Sequence, residues 1–437
     1  MTATLGIALL SQLLGIAALR HRLGRAWLLH PVTVLYLFAV VNQGLSGVAL
    51  SFGSIAAADP YRQGVAPGYE DTAALLTAGA MLAFVAGYLL TQLQRAQSAA
   101  ESQVPAMPDW RLLAATCVPL AWLTYDGKGY NATGVMSPST PLATVLASSF
   151  FILLVILAAF SFTLARGPHW FLPALAAQSL VLAAAGERIP VVTGAVALAV
   201  LLNRAGMRPP RAQVHAALAL TAVAVLAVTG ARAVAGRGTY ETATGLGARA
   251  QALGSGLPSA GSLSGLIAST AVRMDGEAFT AAVLQGEALG HPRLSAAGIP
   301  QSLLVAVPSA LWPSKLAHGA WLDTVDTETA WFGLRNINFL PTLPGLYAGF
   351  LPWPWLIVFM AFLGAVWGRS EKWLLRAPTA ARFVLVAGAI TVAMGYQGGL
   401  PGMVVALRTA AVIAVAVWAL ERVRSRWLAR VLEAAQP

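Results

Sequence analysis

Arg273 and Glu277 stand four residues apart in a stretch, Ser269 to Leu289, whose pattern reads as a helix, so their side chains are neighbours on its surface. The planar, always charged guanidinium donates two parallel hydrogen bonds to phosphate oxygens. A carboxylate beside it, Glu277 or Asp275, is suited to take a proton from a hydroxyl. The same spacing equally suits an exposed ion pair on an amphipathic helix whose apolar side carries Val272, Phe279, Val283 and Leu284. His318 is a second candidate base, because an imidazole with a pKa of about 6.5 exchanges protons near neutrality; Lys315, three residues before it, and Arg335 are further cations. His291, ahead of Pro292, opens a connection punctuated by Pro and Gly, and Ser302 to Trp312 is an apolar segment too short to cross a bilayer.

A second group of cations lies upstream. Arg188 follows Gly186-Glu187 and heads the run from Ile189 to Asn203. That run makes only about 22 Å of helix at 1.5 Å per residue, short of a hydrocarbon core of about 30 Å. A charge drawn into the outer leaflet is paired or lines a polar cavity; a plain turn in which Arg188 meets lipid phosphates or Glu187 is the other reading. Arg232 ends the next run and Arg237 follows five residues on, so three guanidiniums can converge at one membrane level.

The elements that must position these residues are membrane helices. The chain of 437 residues is 57% hydrophobic and 10% charged, against about 25% charged in soluble proteins. The reading is an all-α polytopic integral membrane protein with eleven transmembrane helices: Ala3 to Leu19, Pro31 to Ala57, Thr72 to Leu93, Trp110 to Tyr125, Leu142 to Ala165, Trp170 to Ala185, Ile189 to Asn203, Val214 to Ala231, Phe339 to Gly368, Thr379 to Gly395 and Gly402 to Leu420. Basic residues cluster in alternate loops, at Arg20, Arg22 and Arg25, at Arg204, Arg208 and Arg211, at Arg369, Lys372, Arg376 and Arg382, and at Arg422, Arg424, Arg426 and Arg430. The positive-inside rule then puts the N-terminus outside, the C-terminus inside and the long loop outside. Four segments follow: spans one to eight (1–234), an extracytoplasmic loop with short amphipathic helices (235–338), spans nine to eleven (339–420), and a basic cytoplasmic tail (421–437) that reads as an interfacial helix with Trp418 and Trp427 as anchors. Within the loop, Thr242 to Gly265 is expected to fold back along the membrane surface.

Several functions are disfavoured. The net charge of +11 sits in short membrane loops, where it sets topology and meets anionic lipid, so nucleic acid is not an expected partner. Cys117 is the single cysteine, which excludes a disulfide within the chain. No metal-ligand spacing, phosphate-binding glycine loop or Gly-x-Ser-x-Gly elbow occurs, so neither a metal nor another cofactor is expected, and an ATP-driven pump with its own nucleotide site is disfavoured.

Two strings carry a family likeness: Pro308-Ser309-Ala310-Leu311-Trp312-Pro313-Ser314-Lys315, and Pro341-Thr342-Leu343-Pro344-Gly345-Leu346-Tyr347-Ala348-Gly349-Phe350. With the many spans, the arginine heading a short span and the long outer loop, the chain resembles the O-antigen polymerase (Wzy-like) group of oligosaccharide repeat-unit polymerases and the related O-antigen ligases. Ser309 and Leu316 stand where that family commonly carries Arg and Pro. The resemblance implies a metal-independent, inverting glycosyltransferase of the bacterial plasma membrane. Its partners would be polyprenyl-diphosphate-linked glycans as donor and acceptor, membrane lipid, and a chain-length regulator or flippase. Arg188, Arg232, Arg237, Arg273, Lys315 and Arg335 would then bind the substrate diphosphate, and Glu277 or His318 would be the base.

Other classes make different demands. A polyprenyl-phosphate-sugar glycosyltransferase of the GT-C type needs an acidic pair in an early outer loop, for which Asp59 and Glu70-Asp71 are the candidates. A transporter or flippase of lipid-linked glycans calls for internal repeats and mid-span charges, and Arg408 is the mid-span exception. A structural membrane protein without chemistry needs no charged loop of this kind.

Overall fold

The computed structural model describes residues 3–45, 65–92, 107–126, 142–184, 188–235, 276–304, 307, 312, 342–374 and 379–434. Among these, all regular structure is helical and no strand occurs. The α-helices are α1 (Ala3–Leu23), α2 (Pro31–Val40), α3 (Pro67–Thr91), α4 (Trp110–Asp126), α5 (Leu142–Arg166), α6 (Phe171–Ala184), α7 (Arg188–Arg204), α8 (Arg211–Ala235), α9 (Gly276–Ala288), α10 (Gly298–Leu303), α11 (Leu343–Ala348), α12 (Trp353–Leu374), α13 (Ala380–Met394) and α14 (Gly399–Ala434). A π turn, Val41–Leu45, continues α2.

Four helical stretches are long and apolar enough to cross a membrane: Thr4–Leu23, Gly68–Thr91, Arg211–Thr229 and Gly402–Trp427. Shorter apolar helices include Pro31–Gly44, Trp110–Ala121, Phe150–Arg166 and Ala380–Met394. Large apolar side chains such as Leu10, Leu90, Val118, Leu218 and Val415 stand exposed on these helices, which suits a protein solvated by lipid.

Three expectations are corrected. The run expected to span from Phe339 breaks at Gly349-Phe350, so that the short α11 precedes α12. Pro352 opens α12 at a helix start, the position where its missing N–H does no harm. The basic tail, as far as Ala434, is no separate interfacial helix, because α14 runs unbroken from Gly399 to Ala434. Of the helix expected over Ser269 to Leu289, Gly276–Ala288 is observed as α9 and residues 269–275 lie outside the described residues; an exposed ion pair is ruled out on the Glu277 side, since Glu277 is only 3% exposed.

The chain divides into two compact units. The first contains Met1–Ser98, Gly261–Trp373 and Val392–Val405. Here α9 packs against α3, α11 and the π turn. Ala66 N donates to Gln285 Oε1 at 2.7 Å, which sets the C-terminal end of α9 at the start of α3. Residues 276–283 are all buried. Small side chains at Gly276, Ala278, Thr280, Ala281, Ala282 and Gly286 let neighbours approach α9 on several sides, as in membrane helix packing. The same device joins α3 to α12. A Cβ on Gly87 would meet the Ala361 carbonyl oxygen, and one on Gly364 would meet the carbonyl oxygen of Phe84. Gly368, one turn beyond Gly364, continues the contact against Tyr88.

The second unit contains Ala99–Ala260, Leu374–Thr391 and Ala406–Pro437. Helices α5 to α8 pack around Phe151, Val155, Leu182, Val191 and Val228, with α4 against α5. Trp110 and Trp170 each meet Phe162 edge to face, at 5.1 and 5.6 Å between centroids, and Phe160 stacks on Phe383 at 5.4 Å.

Candidate functional site

In the first unit the buried carboxylate of Glu277 lies in the first turn of α9, within a group of hydroxyl-bearing and amide side chains. Thr280, Thr342, Asn42 and Gln43 are each fully buried, as are Tyr347 and Tyr396. Glycines bring these groups together. A Cβ on Gly276 would collide with the Thr342 methyl, and one on Gly345 would lie 2.6 Å from Thr280 Oγ1 and 3.0 Å from Thr342 Oγ1. Asn42 Nδ2 donates to the Phe38 carbonyl at 2.7 Å, and the Asn42 carbonyl faces Gly276.

Thr342 has φ 47° and ψ 162°, and is the one non-glycine residue with positive φ among the described residues. For a β-branched side chain this conformation stores on the order of 1–3 kcal/mol, which the surrounding packing must hold. It places the threonine as N-cap of α11, where Oγ1 accepts from Gly345 N at 3.4 Å. The same hydroxyl is a neighbour of the Tyr396 phenol, which also feels the charge of Glu277. Burial holds that phenol well above the ordinary tyrosine range, and its Thr342 neighbour offsets part of the effect. The cluster therefore places a carboxylate, which can accept a proton, in one buried region with hydroxyl groups that can donate hydrogen bonds.

Of the residues singled out by sequence, Glu277 occupies this cluster. Arg188 lies in the second unit, half-buried, and its Nη1 donates to Thr229 Oγ1 at 3.4 Å. Arg232 follows three residues after Thr229 on α8, so the structure carries Arg188 and Arg232 to the same end of α7 and α8; the Arg232 side chain lies outside the described residues. Arg237, Arg273, Lys315, His318 and Arg335 lie outside the described residues, as do Asp275, the segment Thr242 to Gly265 and most of the Pro308 to Lys315 string. Glu70 and Asp71 stand in the opening turns of α3, and Asp59 lies outside the described residues. His291 is exposed in the connection after α9, where the nearby Arg293 donates from Nε and Nη2 to the two carboxylate oxygens of Glu287 at 2.6 and 2.9 Å. Among the described residues, no three His, Cys, Asp or Glu side chains are arranged to hold a metal ion.

Sequence reasoning missed a second polar cluster in the same unit. Glu371, 2% exposed near the end of α12, approaches His30 Nδ1 at 2.6 Å and accepts from Val32 N at 3.1 Å, Tyr88 Oη at 3.2 Å and Trp367 Nε1 at 3.0 Å. It thus caps the start of α2 and ties α2 and α3 to α12. Nearby, Gln92 Nε2 donates to the Gly368 carbonyl at 3.1 Å, and Arg22 Nη2 donates to the Gln92 carbonyl at 2.6 Å. The one available signal was a single acid between Arg369 and Lys372, four residues after Trp367. Thr342 lies in the Pro341 to Phe350 string, whereas Tyr396 had no local signal at all.

No protein-family model matches the chain, and comparison with curated proteins and with solved structures returns no match.

Proposed function

We propose that this chain is a lipid-linked oligosaccharide repeat-unit polymerase of the Wzy-like kind. In this reading it has eleven spans in a bacterial plasma membrane, with its N-terminus outside and its C-terminus inside. It transfers a glycan from undecaprenyl diphosphate to a sugar hydroxyl of a second lipid-linked glycan at the outer face. The observation that carries the reading is Glu277, a carboxylate from the polar loop enclosed with Thr280, Thr342 and Tyr396 at the start of α9.

The chemistry assigned to these residues balances. The acceptor hydroxyl oxygen attacks the anomeric carbon from the face opposite the diphosphate, and the new C–O bond forms as the old one breaks, inverting the centre. Glu277 takes the hydroxyl proton, and the bonding pair leaves with the diphosphate. Negative charge grows on that leaving group, and fixed guanidiniums stabilise it without reorganising. Arg273, on the chain just ahead of Glu277, is assigned this task, and Lys315 and Arg335 a supporting one. Thr342 and Tyr396 are assigned to orienting the sugar hydroxyls.

The reading is tested in proteoliposomes holding the purified chain and lipid-linked glycans extracted from the source membranes. A ladder of lengthened glycans is the expected product. Movement of labelled glycan across the bilayer with no chain growth makes the protein a transporter instead. Loss of growth in Glu70→Gln/Asp71→Asn, with Glu277→Gln unaffected, assigns it to the GT-C type.

A further inference from the structure

At the end of α1 an open groove of about 610 Å³ is lined by Ala17, Arg20, His21, Gly24 and Trp27. Its size falls within the range of small-ligand sites, about 300–1,000 Å³. Three features define it. Gly24 has φ +67°, a left-handed turn that glycine adopts without strain, and it redirects the chain from α1 into the 3-10 stretch Gly24–Leu29, which brings Trp27 to the groove. Among the described residues, the side chains lining it include two basic groups and no acid. The groove also continues a stripe along the helix: Leu10, Leu13, Leu14 and Ala17 precede Arg20, His21 and Gly24 at spacings of three and four. The three leucines are 57–62% exposed, whereas Leu5, Ala8, Gln12 and Leu19, on the other side of α1, are buried.

An apolar stripe running into a cationic pocket with an indole beside it has the layout of a lipid: acyl chain, phosphate and interface. We propose that this groove binds one anionic glycerophospholipid, its phosphate on Arg20 and His21 and its acyl chains along Leu10, Leu13, Leu14 and Ala17. Charge complementarity selects the headgroup, since a zwitterionic lipid would bring its own cation against Arg20. Trp27 suits the headgroup level, where indole places an apolar ring and a polar N–H together. The inference rests on α1 crossing the bilayer and is independent of the glycan chemistry proposed above. In the proposed topology the groove faces the cytoplasmic leaflet, away from the transfer reaction, so this lipid is a structural ligand and not a substrate.

The full chain is purified and placed in nanodiscs of phosphatidylcholine alone or with one-fifth phosphatidylglycerol. Phosphatidylglycerol is expected to raise the apparent unfolding temperature by about 3 °C, as a ligand that binds only the native state does. Arg20→Gln/His21→Gln is expected to lose that shift, and Arg422→Gln, which removes a charge elsewhere, to keep it. An equal shift in the double variant, or equal losses in both variants, overturns the site in favour of general surface charge. A full shift from soluble glycerol phosphate in phosphatidylcholine discs overturns the lipid as ligand. Native mass spectrometry of the wild type gives a reading that survives a poorly folding variant: one retained phosphatidylglycerol supports the site, and equal retention of phosphatidylcholine contradicts it.

Discussion

Glu371 Oε1 lies 2.6 Å from His30 Nδ1 across 341 residues of sequence, and the two oxygens of that carboxylate also receive Val32 N, Tyr88 Oη and Trp367 Nε1. One acid thus fixes the start of α2 and the far ends of α3 and α12. Four donors share it, so its removal strands several polar groups at once.

Glu371→Ala is therefore expected to lower unfolding stability by about 3–5 kcal/mol, the cost of breaking a buried, hydrogen-bonded charge cluster. His30→Ala removes one of four donors and should cost about 1–2 kcal/mol. Unfolding in mixed micelles measures both. A loss below 1 kcal/mol in Glu371→Ala would show that the cluster does not hold these helices.

Gly364→Val is expected to part α3 from α12, because its Cβ would press on the Phe84 backbone carbonyl, which cannot swing aside. A loss of roughly 1–3 kcal/mol is the scale of overpacking a tight contact. Gly79→Ala serves as the comparison, since its Cβ would find Ile357 Cδ1 at an ordinary 3.7 Å and should be tolerated.

The helical character of the apolar runs was legible because a bilayer imposes length and hydropathy on a helix; each of the eleven runs overlaps an observed helix, and four helical stretches among the described residues are long and apolar enough to cross a membrane. The burial of α9 was not. Its apolar side, carrying Phe279, Val283 and Leu284, suited a helix buried on one side alone, and the rest of the information lies in Gly276, Ala278, Ala281 and Gly286, whose small size matters only once α3 and α11 are alongside. Glu277 could be named as a candidate from its spacing to Arg273, yet its enclosure by Thr342 and Tyr396 depends on contacts distant in sequence. Arg188 was legible as a charge that needed a partner; Thr229 as that partner was not. Glu371 was hidden by its setting, since an acid amid basic residues at a span's end reads as a topology charge.

Alkaline pH is expected to destabilise the chain through Tyr396. Its folded phenol titrates well above the unfolded value of about 10, so the neutral form is favoured on folding. The associated stability is fully present below pH 10 and declines as the pH rises beyond it toward the folded pKa. Tyr396→Phe should flatten this decline in unfolding measurements between pH 8 and 11, a range set around that reference pKa. An unchanged decline would assign it to other groups.

Thr342→Gly is expected to separate folding from function. Relief of on the order of 1–3 kcal/mol of backbone strain opposes the loss of a hydrogen bond worth about 0.5–1.5 kcal/mol, so stability should change little. Glycan transfer should fall about tenfold or more if the threonine hydroxyl orients the sugar. Thermal unfolding and the polymer ladder, measured on one preparation, separate the two effects.

The role of Glu277 is tested most directly by single-turnover transfer in proteoliposomes saturated with lipid-linked glycan, comparing wild type with Glu277→Gln and Glu277→Asp. Glutamine preserves shape but cannot take a proton, so the transfer rate should fall roughly a hundredfold or more while donor binding and unfolding temperature stay near wild type. Aspartate should restore part of the rate, with a changed pH profile. Wild-type rates in Glu277→Gln would contradict the assignment of Glu277 as the base, and with it the proposed site.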